Sequence, residues 1–220
     1  MTTGLIWDMD GVLVNSGQAH YLAWRRLFDE LGLPLTAEQV RLSLGMSNLP
    51  LLRAWLGETM PNERLLELGE RKEVYFRSLI SEHVCVLPGV RAWLARAREF
   101  GYAQAIASSA PMANIVAIVS QLGLADAFSL LVSGTHLPAS KPDPAIFLLA
   151  SRGLGCDPAA CVVLEDSTHG VQTARRADMP CVAITNTRSA ADLAGASLVV
   201  SSLDDLAPDT FEKMVYQRPR

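Results

Sequence analysis

The sequence predicts an α/β fold: a doubly wound parallel sheet with a helical domain inserted after its first strand. Three observations predict it. Short apolar runs without polar alternation recur along the chain, as in strands buried on both faces. Beyond Leu87-Pro88-Gly89 these runs alternate with helical patterns, which implies parallel strands covered by helices on both sides. Between Ser16 and Pro88 the helical period continues with no convincing strand.

Gly4 to Met9 ends abruptly in Asp8-Met9-Asp10-Gly11 and reads as a buried strand feeding a loop. Ala19, Leu22, Ala23, Leu27 and Leu31 recur at helical spacing until Gly32 and Pro34 stop them. Thr36 with Gln39 can cap a second helix, and Leu49 to Leu56 and Glu63 to Ile80 supply two more. Helices are then expected over Val90 to Phe100, Pro111 to Leu122, Pro144 to Arg152 and Thr168 to Ala177, with Pro111 at a favoured first-turn position. Strands are expected over Ala103 to Ala107, Leu130 to Ser133, Cys161 to Leu164, Cys181 to Ile184 and Leu198 to Val200. The core is therefore discontinuous, residues 1–15 and 85–220, Rossmann-like in architecture, with a helical domain at 16–84.

Composition narrows the function classes. A chain of 220 residues buries roughly 70% of its unfolded surface and needs no staples. A hydrophobic fraction of 50% excludes disorder, and four cysteines exclude a disulfide scaffold. Cys85, Cys156, Cys161 and Cys181 form no Cys-x-x-Cys pair or zinc-like cluster, and are expected as buried small hydrophobes in a reducing cytoplasm. A net charge of −4 argues against a nucleic-acid partner. The N-terminus lacks the basic and apolar regions of a signal peptide, and no window approaches 18 uninterrupted apolar residues, so neither a leader nor a membrane span is expected. Of the 19 basic residues only Lys72, Lys141 and Lys213 are lysines, and Lys213 reads as solvated surface.

In an open parallel sheet, ligands sit beyond the carboxyl ends of the strands. Four polar clusters fall there: Asp8-Met9-Asp10-Gly11, Ser108-Ser109, Ser140-Lys141-Pro142-Asp143, and Glu165-Asp166-Ser167. Taken singly, each is compatible with a solvated turn, a helix cap or a surface lysine. Together they put several carboxylates in one crevice, where they repel one another unless a cation intervenes. A divalent metal with Lys141 would relieve that repulsion.

These residues carry a resemblance. Asp8-x-Asp10-Gly11-Val12-Leu13, Ser108, Lys141-Pro142 and Glu165-Asp166 are similar, in order and over nearly the whole chain, to the four motifs of the haloacid dehalogenase-like hydrolase superfamily. Asp8 to Ser16, His20, Trp24 and the Leu-Glu-Asp-Ser run most resemble its β-phosphoglucomutase and sugar-phosphatase branch, and residues 16–84 resemble its helical cap. The resemblance implies Asp8 as nucleophile forming an aspartyl-phosphate, and Asp10 as the acid and then the base. It implies Mg²⁺ held by the Asp8 carboxylate, the Asp10 backbone carbonyl and Asp166, with Glu165 nearby. Ser108 and backbone N–H groups, with Met9, Gly11 and Ser109 around them, would hold the phosphoryl oxygens while Lys141 offsets their charge.

The cap should choose the substrate. His20, Lys72 and the Gly45-Met46-Ser47 loop are its candidate contacts, each weighed against an ordinary packed or solvated role; Trp24 and Trp55 read as cap core. His83, His136 and His169 have no evident partners and read as surface or loop residues. Two positions depart from the branch: Asn15 stands where an Asp is usual, and Asn48 where mutases carry an Arg that grips a second phosphate. The acid at Asp10 favours phosphate esters over carbon–halogen bonds. The implied function is a Mg²⁺-dependent phosphatase of a small phosphorylated metabolite such as a sugar phosphate. A β-phosphoglucomutase-type mutase is the alternative, and a non-enzymatic phospho-acceptor or binding protein a lower one. A cytoplasmic monomer or weak dimer, without nucleic-acid or membrane partners, is expected.

Overall fold

The computed structural model describes residues 2–43 and 46–216. In chain order the elements are β1 (Gly4–Trp7), β2 (Val14–Asn15), α1 (Gly17–Glu30), α2 (Ala37–Ser43), α3 (Asn48–Leu56), α4 (Asn62–His83), β3 (Cys85–Val86), α5 (Val90–Glu99), β4 (Ala103–Ser108), α6 (Met112–Gln121), β5 (Leu130–Ser133), α7 (Ala145–Leu154), β6 (Cys161–Glu165), α8 (Thr168–Arg176), β7 (Cys181–Ile184), β8 (Leu198–Val200) and α9 (Thr210–Tyr216).

Six strands form one parallel sheet in the order β5-β4-β1-β6-β7-β8. Alternation along each strand sorts the side chains into two cores. Leu5, Trp7, Val162 and Leu164 face α5, α6 and α9 through Trp93, Ile115, Ile118 and Phe211. Ile6, Cys161 and Val163 face α7 and α8 through Phe147, Ala150, Val171 and Ala174. Both faces are covered, which is why the strands read as unbroken apolar runs. The chain leaves central β1 for β4 on one side and later places β6 on the other, so a crevice opens at the carboxyl ends of these three strands.

Helices α1 to α4 lie between β2 and β3, which pair antiparallel at Val14–Val86 and Asn15–Cys85. They share a core of Trp24, Leu27, Phe28, Leu52, Leu65 and Leu68. Trp24 meets Trp55 edge to face at 5.2 Å, a packing role for both rings. Thr36 and Gln39 exchange hydrogen bonds, the N–H of each meeting the other's side chain, so α2 has its capping box.

Two expectations need correction, and one helix was not anticipated. Cys85 is exposed rather than buried, because a strand of two residues at the edge of a ribbon has no layer above it; Cys156, Cys161 and Cys181 are buried. The pair β2/β3 was not expected as strand at all. The C-terminal stretch holding Lys213 forms α9, whose Phe211 packs fully buried against Trp93 at 4.9 Å, while Lys213 itself is solvated as expected. No described helix is long and apolar enough to cross a membrane.

Candidate active site

Asp8 is the first residue past β1, and its N–H still bonds the Leu164 carbonyl of β6 at 3.0 Å. That bond carries the ladder one residue beyond the strand and fixes where the carboxylate starts. Lys141 Nζ donates to Asp8 Oδ1 at 2.6 Å and to Glu165 Oε1 at 2.5 Å. Glu165 Oε2 accepts from the Asp166 N–H, the Ser167 N–H and the Ser167 hydroxyl at 2.9, 3.0 and 2.9 Å. The Ser167 hydroxyl in turn caps α8 by accepting from the Gly170 N–H. Both Glu165 oxygens are thus engaged, and the residue ties Lys141 to the start of α8.

This packing dictates a glycine. A Cβ on Gly170 would sit 1.8 Å from the Glu165 carboxyl carbon. Gly170→Ala is expected to destabilise the protein by ~1–3 kcal/mol, or more if Glu165 cannot yield. A urea midpoint unchanged from wild type would contradict this packing. Gly11 is required for a related reason. It adopts φ +84°, and a Cβ there would lie 1.9 Å from Asp166 Oδ2. Asn186 holds the turn by donating to the Gly11 carbonyl at 2.8 Å, and the Thr187 hydroxyl donates to Asp166 Oδ2 at 2.5 Å.

Asp8, Glu165 and Asp166 are all buried, and each offers a carboxylate oxygen within 4.8 Å of the other two. Burial pushes the Asp8 carboxyl up to about 7; Lys141 opposes the shift, and Glu165 and Asp10 add to it. Burial, followed by the Glu165 and Asp8 charges, likewise drives Asp166 well above the aspartate range. Burial acts against the Lys141 charge, but Asp8 and Glu165 outweigh it and hold the ammonium above its usual range. One lysine therefore faces three carboxylates, two of which resist ionising. Hard oxygen donors short of positive charge fit a small divalent cation such as Mg²⁺ or Ca²⁺.

Asp10 faces the other way, toward α1 and α4. Its Oδ1 accepts from the Ser16 hydroxyl and lies 3.5 Å from His20 Nε2. Burial would raise this carboxyl, but the His20 and Ser16 hydrogen bonds, together with Lys72, hold it below the usual aspartate value. His20 stacks on Phe76 at 4.2 Å, and its Nδ1 is 2.9 Å from Lys72 Nζ. Lys72, only 1% exposed, also donates to Glu73 Oε1 at 2.9 Å. Glu73 then accepts from Asn48 and from Asn114 of α6, both at 2.6 Å, and Arg77 donates to Asn114 Oδ1 at 2.8 Å. A polar chain thus runs from the β1 loop through the helical segment and back to the sheet layer.

Among the expected site residues, the structure brings Asp8, Lys141, Glu165 and Asp166 into one cluster, and Asp10, His20 and Lys72 into a second. Ser108 ends β4, where its buried hydroxyl accepts from the Ala110 N–H at 3.1 Å. Ser109 and Ser47 line a cavity of about 340 Å³ with Asp10, His20 and Lys72. The Met9 side chain is buried, and its carbonyl accepts from the N–H groups of Leu13 and Val14. Gly45 lies outside the described residues. His136 and His169 are exposed, and His83 closes α4. Sequence reasoning missed Ser16, Glu73, Asn114, Asn186 and Thr187. The last two follow β7 and fall under the strand-end rule that flagged the others. Asn114, a polar residue on the apolar face of α6, was the visible sign of the buried network.

A sequence profile of the haloacid dehalogenase-like hydrolases matches residues 5–184. The chain is 31% identical over 209 residues to the β-phosphoglucomutase of Bacillus subtilis (strain 168), covering 92% of this chain and 90% of that protein. It is 31% identical over 181 residues to hexitol phosphatase B of Escherichia coli (strain K12), covering 81% and 82%. The β-phosphoglucomutase structure from Clostridium difficile superposes with a TM-score of 0.87 at 25% identity, covering 99% of this chain and 98% of that one.

Proposed function

The chain belongs to the haloacid dehalogenase-like hydrolases, and from that premise we propose that it is a Mg²⁺-dependent phosphatase of a sugar or polyol monophosphate. The observation that carries this reading is the Asp8–Lys141–Glu165–Asp166 cluster beside an acid, Asp10, that faces a separate cavity. Relatives named for hexitol phosphatase and β-phosphoglucomutase activity support a phosphorylated carbohydrate as substrate.

In this reading Asp8 attacks phosphorus in line with the leaving oxygen, and an aspartyl-phosphate forms as the ester bond breaks. Asp10 gives the leaving oxygen its proton, then takes one from the water that attacks the aspartyl-phosphate and frees Asp8. The contacts seen hold Asp10 as the carboxylate, ready for the second half. The first half requires it to carry a proton, so substrate must loosen the His20 and Ser16 contacts. Lys141 neutralises phosphoryl charge, Ser108 and the N–H groups of the β1 and β4 loops hold the oxygens, and Glu165 keeps Lys141 in place. Asp8, Asp166 and the Asp10 carbonyl would hold Mg²⁺, which when bound would screen the charge between carboxylate and phosphate. Residues 16–84 act as a cap that excludes water and contacts the leaving group.

The test is phosphate release from sugar phosphates, phosphoglycolate, nucleotides and an aryl phosphate, with Mg²⁺ and with EDTA. Release that needs Mg²⁺ and is fastest on sugar or polyol esters is expected. Equal release with EDTA, or none from any ester, would overturn the reading. Mg²⁺ should also raise Tm, because at 100 times its Kd a ligand adds ~2.7 kcal/mol of stability, about 5–10 °C in a chain of this size. A Tm indifferent to saturating Mg²⁺ would remove the metal from the account.

A second reading, phosphosugar mutase, is favoured by the coverage of the Bacillus enzyme. Isomerisation of a hexose phosphate primed by a bisphosphate, far faster than phosphate release, would establish it.

A further inference from the structure

Six side chains that can carry charge line the cavity next to Asp10. Asp10, Glu70 and Glu73 are acidic, Lys72 and Arg77 are basic, and His20 completes the set. A leaving group with its own phosphate would need cations with donors to spare. Lys72 has two of its three N–H donors engaged, since Nζ spans Glu73 Oε1 and His20 Nδ1, both at 2.9 Å, and its charge is already paired with Glu73. The rings of Trp24 and Phe76 lie 5.0 and 5.3 Å from that nitrogen. Arg77 is committed in part to Asn114. Glu73 is anchored from three sides, by Lys72, Asn48 and Asn114, and is only 5% exposed.

We propose that Glu73 is a specificity-determining positioning residue: by pairing with Lys72 it removes the cavity's most buried cation from ligand binding, so the site takes monophosphates with uncharged, hydroxyl-bearing leaving groups and rejects bisphosphates. The inference deepens the phosphatase reading and rests on it for the position of the leaving group. The Asn48 and Asn114 amides hold Glu73 in place. A carboxylate rather than an amide at position 73 matters because only a charge can cancel the ammonium. In the low-dielectric interior that charge acts over several ångströms on whatever enters.

The experiment compares a hexose monophosphate with the matching hexose bisphosphate, as kcat/KM on wild type and Glu73→Gln. In parallel, calorimetric Kd values are measured on Asp8→Asn protein with and without Glu73→Gln. Wild type should prefer the monophosphate. Glu73→Gln should raise the bisphosphate-to-monophosphate ratio by ~10-fold or more, the effect of one unit charge at an effective dielectric near 20. The gain should appear in KM for the bisphosphate. A purely structural role would instead lower kcat for both esters and leave the ratio alone, which would overturn the proposal. Wild type using both esters equally would overturn it too. Should wild type hydrolyse neither, the phosphatase reading fails, and the Kd ratio still decides this proposal by the same criterion. Glu73→Met, which removes the same charge at similar side-chain volume and adds no cation, should shift the ratio in the same direction and replaces Glu73→Gln if that variant does not fold.

Discussion

Asp8→Asn is expected to lower phosphatase turnover by at least ~10⁴-fold while leaving the protein folded. Asn keeps the shape of the side chain and removes the nucleophilic oxygen. Loss of the charge should cost the metal-free fold nothing, because burial already pushes this carboxyl up to about 7 against the pull of Lys141. Lys141 retains Glu165 as a partner at 2.5 Å. The metal-free Tm should therefore stay level or rise, and its response to Mg²⁺ should shrink. Full metal-dependent turnover by this variant would show that Asp8 is not the nucleophile. A collapse in Tm would show that the Asp8–Lys141 pair is a structural requirement instead.

The next largest effect is expected at Asp10, and it should depend on the leaving group. Proton transfer by a positioned side chain contributes ~10²–10⁴-fold. Asp10→Asn should therefore reduce hydrolysis of an alkyl or sugar phosphate by that amount. An aryl phosphate whose phenolate leaves without a proton should be affected far less in the step that forms the aspartyl-phosphate. Single-turnover kinetics on both esters separate that step from the later attack of water, which also uses Asp10. An equal loss on both esters in the first step would show that Asp10 acts by positioning rather than as an acid.

The parallel sheet was legible because its strands are buried on both faces and carry no polar alternation, and because Asp8, Ser108, Lys141 and Glu165-Asp166 all follow such runs. The spatial order of the strands was not legible, since apolar periodicity is the same at the centre and at the edge. Two-residue strands such as β2 and β3 carry no period, so the ribbon that exposes Cys85 left no trace. Helix α9 is short, and Phe211 is its only buried residue, so its docking on Trp93 depends on a distant surface. Lys72 read equally well as a solvated lysine on a charged helix; in the fold it lies against His20 and Trp24 of α1 and pairs with Glu73, which Asn114, 41 residues beyond Glu73 on another layer, holds in place. Contacts of that kind, like Thr187 on Asp166, are made by folding rather than by local pattern.

The most direct test of the account is to mix the protein with Mg²⁺ and a sugar phosphate it hydrolyses, quench in acid within one turnover, and weigh the peptide that contains Asp8. The account predicts a transient gain of one phosphoryl group on Asp8, absent with EDTA and absent in Asp8→Asn. Phosphate released at full rate with no adduct on that peptide at any time would contradict it and point to direct attack by water.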